Sequence, residues 1–292
     1  MSYVVTGATG HLGRLVVEAL LERGVPADQV VAAGRTVERL GDLAERGVRT
    51  AYLDYDDAAS LPAALAGAHT LVLVSGTDMG RRVQQHGAAI DAAVAAGVRH
   101  VLYTSAPHAD TTQLVLAPEH KGTEEVLAAA RDAHGLRVTV ARDNWYTENY
   151  EQTFAQAAAT GVLLTSAGDG RVASAPRADY AAAIAALATR EGDDSSVREL
   201  SGDVAWSFDE FAAAASQVLG RPVEHRSVST AEHVAALVAA GLDEGTAGFV
   251  AAMDTGIARG DLAEATDEIR TLTGRPTTPL VDTLRAWAAA QA

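Results

Sequence analysis

The 292-residue sequence contains no cysteine, so disulfides, thiolate metal centres and a cysteine nucleophile are excluded. It holds one lysine, Lys121; the other 22 of its 23 basic side chains are arginine. Any mechanism that needs a lysine therefore has a single candidate. Acids number 38 and the net charge is −15, which leaves little scope for the basic surface that nucleic acid requires. No apolar run approaches the roughly 18 residues of a membrane span, and the short apolar stretch at the N-terminus lacks the basic leader of a signal peptide. A cytoplasmic protein is expected, with neither nucleic acid nor membrane as partner. There is no G-x-S-x-G of a serine hydrolase and no H-E-x-x-H of a zinc enzyme. The nine histidines do not fall at ligand spacing, and no metal site is expected. A Tyr-x-x-x-Lys acid is missing too, because Ala117 stands four residues before Lys121.

What is present is a regular alternation. Strands are predicted at Tyr3–Thr6, Gln29–Ala33, Val48–Leu53, Thr70–Val74, Arg99–Thr104 and Leu136–Ala141. Between them come a helical stripe from Leu12 to Leu20 and helices at Val37–Arg46, Ala58–Ala66, Asp78–Ala96 and Pro118–Ala133. Gly47, Gly67 and Gly97 supply natural stops. Six strands joined through helices by short loops predict an α/β fold, a doubly wound parallel sheet of the Rossmann type covered on both faces. After residue 145 the rhythm changes. Helices at Thr147–Thr160, Arg177–Thr189, Ser207–Leu219 and Thr230–Ala240 are mixed with short strands at Val197–Ser201 and Val223–Ser227. The expected organisation is a dinucleotide-binding domain over residues 1–145 and a smaller mixed α/β substrate portion over 146–292, interleaved in one body.

The run Thr6-Gly7-Ala8-Thr9-Gly10-His11-Leu12-Gly13 lies between the first strand and the first helix, the place for a phosphate-binding turn. One glycine permits the sharp turn, one lets backbone approach a diphosphate, and Gly13 lets helix and strand pack closely. The second strand then leads into Ala33-Gly34-Arg35, with no acid for the ribose hydroxyls of NADH. A guanidinium at Arg35 suits a 2′-phosphate, so NADPH is the expected cofactor. Asp54-Tyr55 ends the third strand, where Asp54 is either a loop cap or a neighbour of the adenine. Ser75, Gly76 and Thr77 follow the fourth strand and border the ribose and nicotinamide, while Asp78 reads as a helix cap. His108, His120 and Lys121 cluster near the expected cofactor end as further candidates. Without a strong positioned acid, alcohol and ketone chemistry is disfavoured. A quinone accepts hydride readily and leaves a weakly basic hydroquinone anion, so alignment supplies most of the catalysis.

Several segments resemble one group of proteins. They are the glycine turn, Tyr103-Thr104-Ser105 with His108-Ala109-Asp110, and Asn144-Trp145-Tyr146-Thr147-Glu148-Asn149-Tyr150. Ala167-Gly168-Asp169-Gly170, Arg177-Ala178-Asp179-Tyr180 and Gly274-Arg275-Pro276-Thr277-Thr278 join them. The chain resembles the NmrA-like, atypical short-chain dehydrogenases, in their NAD(P)H:quinone oxidoreductase type 2 branch, near the triphenylmethane reductases. The resemblance implies an NADPH-dependent oxidoreductase acting on a quinone-like small molecule, with a homo-oligomer left open and no universal catalytic acid. It also implies that Gly7 to Leu12 hold the diphosphate and Arg35 the 2′-phosphate, and that Ala141–Tyr146 lines the nicotinamide side. Arg171, in the Gly-Asp-Gly loop, becomes a cofactor contact on the same ground. Where relatives carry Arg-Asn-Gly-Trp-Tyr, this chain has Arg142-Asp143-Asn144-Trp145-Tyr146. Asn144 tolerates a left-handed backbone better than most side chains, and Asp143 brings an acid toward the nicotinamide. Trp145 and Tyr146 are either core aromatics or ligand contacts. Some NmrA-like proteins bind the dinucleotide without turnover, so a redox sensor is the alternative to a reductase.

Overall fold

The computed structural model describes residues 1–192 and 195–290. The first half runs β1 (Tyr3–Val5), α1 (His11–Glu22), β2 (Val30–Gly34), α2 (Gly41–Glu45), β3 (Arg49–Tyr52), α3 (Ser60–Leu65), β4 (Thr70–Leu73), α4 (Arg82–Ala95), β5 (His100–Ser105), α5 (Ala117–His134) and β6 (Arg137–Asp143). The second half runs α6 (Glu151–Thr160), β7 (Val162–Thr165), β8 (Arg171–Val172), α7 (Arg177–Thr189), β9 (Ser196–Leu200), β10 (Trp206–Ser207), α8 (Phe208–Leu219), β11 (Glu224–Ser227), α9 (Thr230–Ala239), α10 (Glu244–Arg259), α11 (Glu268–Thr273) and α12 (Leu280–Ala290). None of the described helices is long and apolar enough to cross a membrane.

The central sheet is parallel throughout, in the order β3-β2-β1-β4-β5-β6-β9. Alternate side chains feed its two faces, as the two-residue period of a strand requires. Tyr3 and Val5 join Val16, Leu20 and Tyr180 in one core, on the side of α1 and α7. Val4 joins Leu65, Ile90 and Leu127 in the other, on the side of α3, α4 and α5. A third core, around Phe154, Phe208, Phe211 and Trp287, fills the smaller portion.

The division expected at residue 145 is crossed by the chain. β9 returns as a seventh strand beside β6, and the segment Arg177–Thr189 packs on α1 as part of the main sheet's helical layer. The physical reason is local. α7 is buried on nearly all sides, with nine buried residues among its small alanines, so it shows no amphipathic stripe to assign it to a layer. β9 is an edge strand of mixed polarity, with the sequence SVREL, and lacks the apolar run of an inner parallel strand. The helix predicted from Asp78 begins later, at Arg82, because Gly80 takes a left-handed φ of +85° and breaks the helical path.

Candidate active site

The strand order reverses between β1 and β4, and a cleft of about 390 Å³ opens beyond their C-terminal ends. Ligands of open α/β sheets lie at such a point. The glycine turn lines the cleft. Gly7 holds φ +61°, a left-handed conformation that side chains rarely adopt. A Cβ on Gly13 would stand 2.4 Å from the Gly7 carbonyl oxygen, so only glycine lets α1 start this close under the turn. No side chain caps α1 and no acid lies in its first turn. The free N–H groups of His11 and Leu12 and the positive helix end therefore remain available to an anion. These features fit a dinucleotide diphosphate.

Thr9 and Gly10 line the cleft beside Gly7 and Gly13, and Ala8 lies buried behind them, its N–H on the Ala33 carbonyl at 2.9 Å. Arg35 follows β2 and stands exposed along the wall. Asp54 also lines the cleft, while its carboxylate accepts the Asp56 N–H at 3.1 Å as a turn would. Ser75, Gly76 and Thr77 close the side beyond β4. Asp78 lies there too, but it accepts from the Gln85 amide at 3.2 Å and caps no helix.

A buried histidine shapes this last loop. His86 Nε2 accepts the Gly76 N–H at 3.0 Å, and Nδ1 lies 3.0 Å from Thr123 Oγ1, which donates to the Glu119 carbonyl. That chain requires a neutral ring with its proton on Nδ1. Burial pulls His86 down to about 4, in agreement. Tyr55 Oη lies 2.7 Å from Thr6 Oγ1 and 2.8 Å from the Val74 carbonyl, tying the ends of three strands together.

A second cleft, of about 460 Å³, lies between the main sheet and the smaller portion. Trp145, Phe208, Leu237, Phe249 and Met253 give it apolar walls. The two clefts share Tyr146 and Arg177, which line both. The Arg177 guanidinium carbon sits 4.6 Å from the centre of the Tyr146 ring, a cation–π contact. Tyr146 packs edge-on against Tyr180 at 5.3 Å, and Tyr180 Oη holds both the N–H and the carbonyl of Trp145, at 3.2 and 3.1 Å. The border between the clefts is thus fixed from several sides. An anion-binding helix start leads across this border into an aromatic chamber, which can set a flat apolar acceptor against one end of a bound dinucleotide.

Several sequence candidates stand elsewhere. Asp143 and Asn144 line neither cleft. Asp143 is 5% exposed; Tyr146 Oη donates to its Oδ2 at 2.9 Å, and burial pushes it up to about 8 against that hydrogen bond. Its carboxyl therefore contacts Tyr146, which lines both clefts. The Asn144 amide donates to the carbonyls of Leu262 and Glu264, both at 3.3 Å. Arg171 lies outside both clefts and bonds the Ala205 carbonyl and, at 2.6 Å, Glu210. It stands exposed at the start of β8, beside that acid. His108 pairs with Glu199 and Glu264, His120 is buried against Tyr103 Oη at 2.9 Å, and Lys121 is exposed; none of the three reaches a cleft. Arg82, Gln85 and Arg177 line the first cleft without having been singled out. Only Arg177 had a signal, as the first residue of the Arg-Ala-Asp-Tyr stretch. Asp179 of that stretch anchors the C-terminal segment, accepting from Arg275 and from the Thr278 N–H, both at 2.7 Å.

Known proteins share this architecture. The chain is 41% identical over 280 residues to quinone oxidoreductase 2 of Escherichia coli, covering 96% of each. A crystal structure of an E. coli NADPH-dependent quinone oxidoreductase in complex with NADPH superposes with a TM-score of 0.92 at 41% identity, over 98% of this chain and 99% of that one. The triphenylmethane reductase of a Citrobacter species, solved with NADP(H), superposes with a TM-score of 0.92 at 35% identity, over 98% of this chain and all (100%) of that one. The model of the NmrA-like family matches residues 2–255. With nearly nine-tenths of its length under that match and its fold shared end to end with such reductases, the chain belongs to the NmrA-like family.

Proposed function

We propose that the protein is an NADPH-dependent reductase that passes hydride to quinones or related electrophilic aromatic acceptors. The observation that carries this reading is the meeting of two clefts of opposite character at Tyr146 and Arg177. When bound, the dihydronicotinamide supplies the hydride. The chain's own residues do the rest. The Gly7–Leu12 turn and the start of α1 hold the diphosphate through main-chain N–H groups. Arg35 takes the 2′-phosphate, and Ser75, Gly76 and Thr77 flank the ribose. Tyr146 and Arg177 fix the border at which donor and acceptor face each other, and the apolar wall of the second cleft keeps water from it. Holding two flat rings in contact removes much of the barrier to a bimolecular transfer. Quinone oxidoreductase 2 at 41% identity, and an NADPH complex of the same fold, support the cofactor and the acceptor class together.

The test is direct. Purified protein is mixed with NADPH and a small benzoquinone, and the absorbance of the reduced nicotinamide is followed. Quinone-dependent loss well above the protein-free rate is expected. Tight NADPH binding with no turnover of any of several quinones would identify a sensor instead.

A further inference from the structure

The second cleft contains a pair of ionisable side chains that the reading above does not use. His233 lies on the first turn of α9 and lines the cleft, although only 4% of it is exposed. Its Nδ1 is 3.0 Å from Oδ2 of Asp254, which projects from α10 and is itself 5% exposed. Asp254 is held in turn. The Ser166 N–H donates to Oδ2 at 2.7 Å and the Ser166 hydroxyl at 3.2 Å; that hydroxyl is also 3.1 Å from His233 Nδ1. The Ser166 hydroxyl gives its one proton to Asp254 and so accepts from His233 Nδ1, which fixes the imidazole with a proton on Nδ1, beside the Asp254 carboxylate.

The opposite ring nitrogen is then the one that exchanges a proton with the cleft. Among the described residues Nε2 has no hydrogen-bond partner, and it is not among the buried polar atoms sealed without one. Other ionisable groups at this end of the cleft are few. Tyr150, whose hydroxyl is buried, lies beside Asp254, and Arg177 stands on the border with the first cleft. The remaining walls are uncharged, mixing apolar side chains with amides and hydroxyls such as Asn149, Gln152 and Thr153. An imidazole oriented by an acid in a chamber with few other ionisable groups is the arrangement of a general acid.

We infer that His233 is the proton donor of this reductase, delivering the Nε2 proton to the acceptor's oxygen while Asp254 positions the ring. The inference rests on the proposed reduction of quinones. In the step, the acceptor takes a hydride, with its electron pair, from the bound dihydronicotinamide. The ring enters the step as the imidazolium, protonated on both nitrogens; an O–H bond forms at the acceptor oxygen as its Nε2–H bond breaks, and the quinone leaves as the hydroquinone. The nicotinamide is left oxidised, and the neutral imidazole recovers its proton from solvent. Sequence alone gave no hint of this pair. His233 and Asp254 are 21 residues apart on separate helices, and Ser166 comes from a third segment.

The experiment exploits a difference between acceptors. A quinone needs a hydride and a proton, whereas a cationic triarylmethane dye takes a hydride at carbon and becomes neutral with no proton at all. His233→Gln is expected to lower kcat for a benzoquinone by about tenfold to a hundredfold, at the low end of general-acid effects because the hydroquinone anion is weakly basic. Turnover of the dye should stay within about threefold, as expected when only proton transfer is lost. NADPH binding, measured by nicotinamide fluorescence, should be unchanged. Asp254→Asn should give the same selective loss in weaker form. In His233→Gly, added imidazole should restore quinone reduction. Equal losses on both acceptors, an unchanged quinone rate, or failure of imidazole to restore it would overturn the assignment. A parent protein that reduces neither acceptor would instead overturn the reading of the protein as a reductase, and the assignment with it.

Discussion

Replacing Asp143 with asparagine should change the shape of the protein's pH–stability profile, because Asp143 opposes three buried histidines. Burial pushes Asp143 up to about 8, and pulls His86 down to about 4 and His100 and His120 down to about 3. All four side chains are almost fully buried. In the unfolded chain a histidine titrates near ~6.5 and an aspartate near ~3.9. Between about pH 4.5 and 6.5 the unfolded chain therefore carries three histidine protons that the folded protein lacks. The folded protein carries one, on Asp143, that the unfolded chain lacks. Unfolding takes up two protons on balance, so stability rises with pH by about 2.7 kcal/mol per unit. Above about pH 6.5 only Asp143 still differs between the two states. Its folded-state pKa is raised, so its contribution is full at low pH and is lost as the pH climbs toward 8: stability falls by about 1.4 kcal/mol per unit. The maximum lies near pH ~6.5. In Asp143→Asn the side-chain carbonyl can still accept from Tyr146, the alkaline decline disappears, and the acid limb steepens to about 4 kcal/mol per unit. Urea midpoints at half-unit pH steps, at constant m-value, measure both slopes. Identical profiles for parent and variant, or a parent with no decline from pH 6.5 to 8, would refute the reasoning.

Other perturbations have equally definite outcomes. Arg35→Ala should weaken NADPH binding at least about tenfold, the loss of a charge-assisted phosphate contact, and leave NADH binding nearly unchanged in calorimetry; equal weakening of both would remove the role given to Arg35. Gly13→Ala forces a Cβ to within 2.4 Å of the Gly7 oxygen, so the turn must shift; loss of NADPH binding should exceed any loss of helix content by circular dichroism. Tyr180→Phe leaves the Trp145 N–H without its partner beside a fully buried ring, while the Trp145 carbonyl keeps the Ala175 N–H at 3.2 Å. It should cost about 1–3 kcal/mol in urea unfolding and raise the KM for quinone, through a loosened border between the clefts.

The first half of the fold was legible because each strand there is a short apolar run and each helix a periodic stripe, with glycines between. The cleft-lining part of the site followed from the same logic, since strand ends and a helix start lie at fixed sequence distances from Gly7 and Gly10. What was not legible was whatever depended on partners distant in sequence. Arg171 looked available until β10 and α8 brought the Ala205 carbonyl and Glu210 to it. Asp143 looked like a ligand contact, yet its carboxyl turns back to Tyr146 and is buried there. β9 was recognised as a strand but not as the sheet's seventh, because an edge position imposes little apolar demand on its side chains. A substrate place between the cofactor site and the smaller portion was expected, but not the residues that line the second cleft. Its walls come from Trp145, α6, α8, α9 and α10, and no local pattern ties these segments together.

The most direct measurement is a crystal structure of the protein with NADPH and a non-reducible quinone analogue. Density for the diphosphate should lie on the main-chain N–H groups of His11 and Leu12, with the nicotinamide beside Tyr146 and the analogue against it in the aromatic cleft. A diphosphate bound elsewhere, or a nicotinamide turned away from the second cleft with the analogue out of reach, would contradict the proposed division of labour between the two clefts.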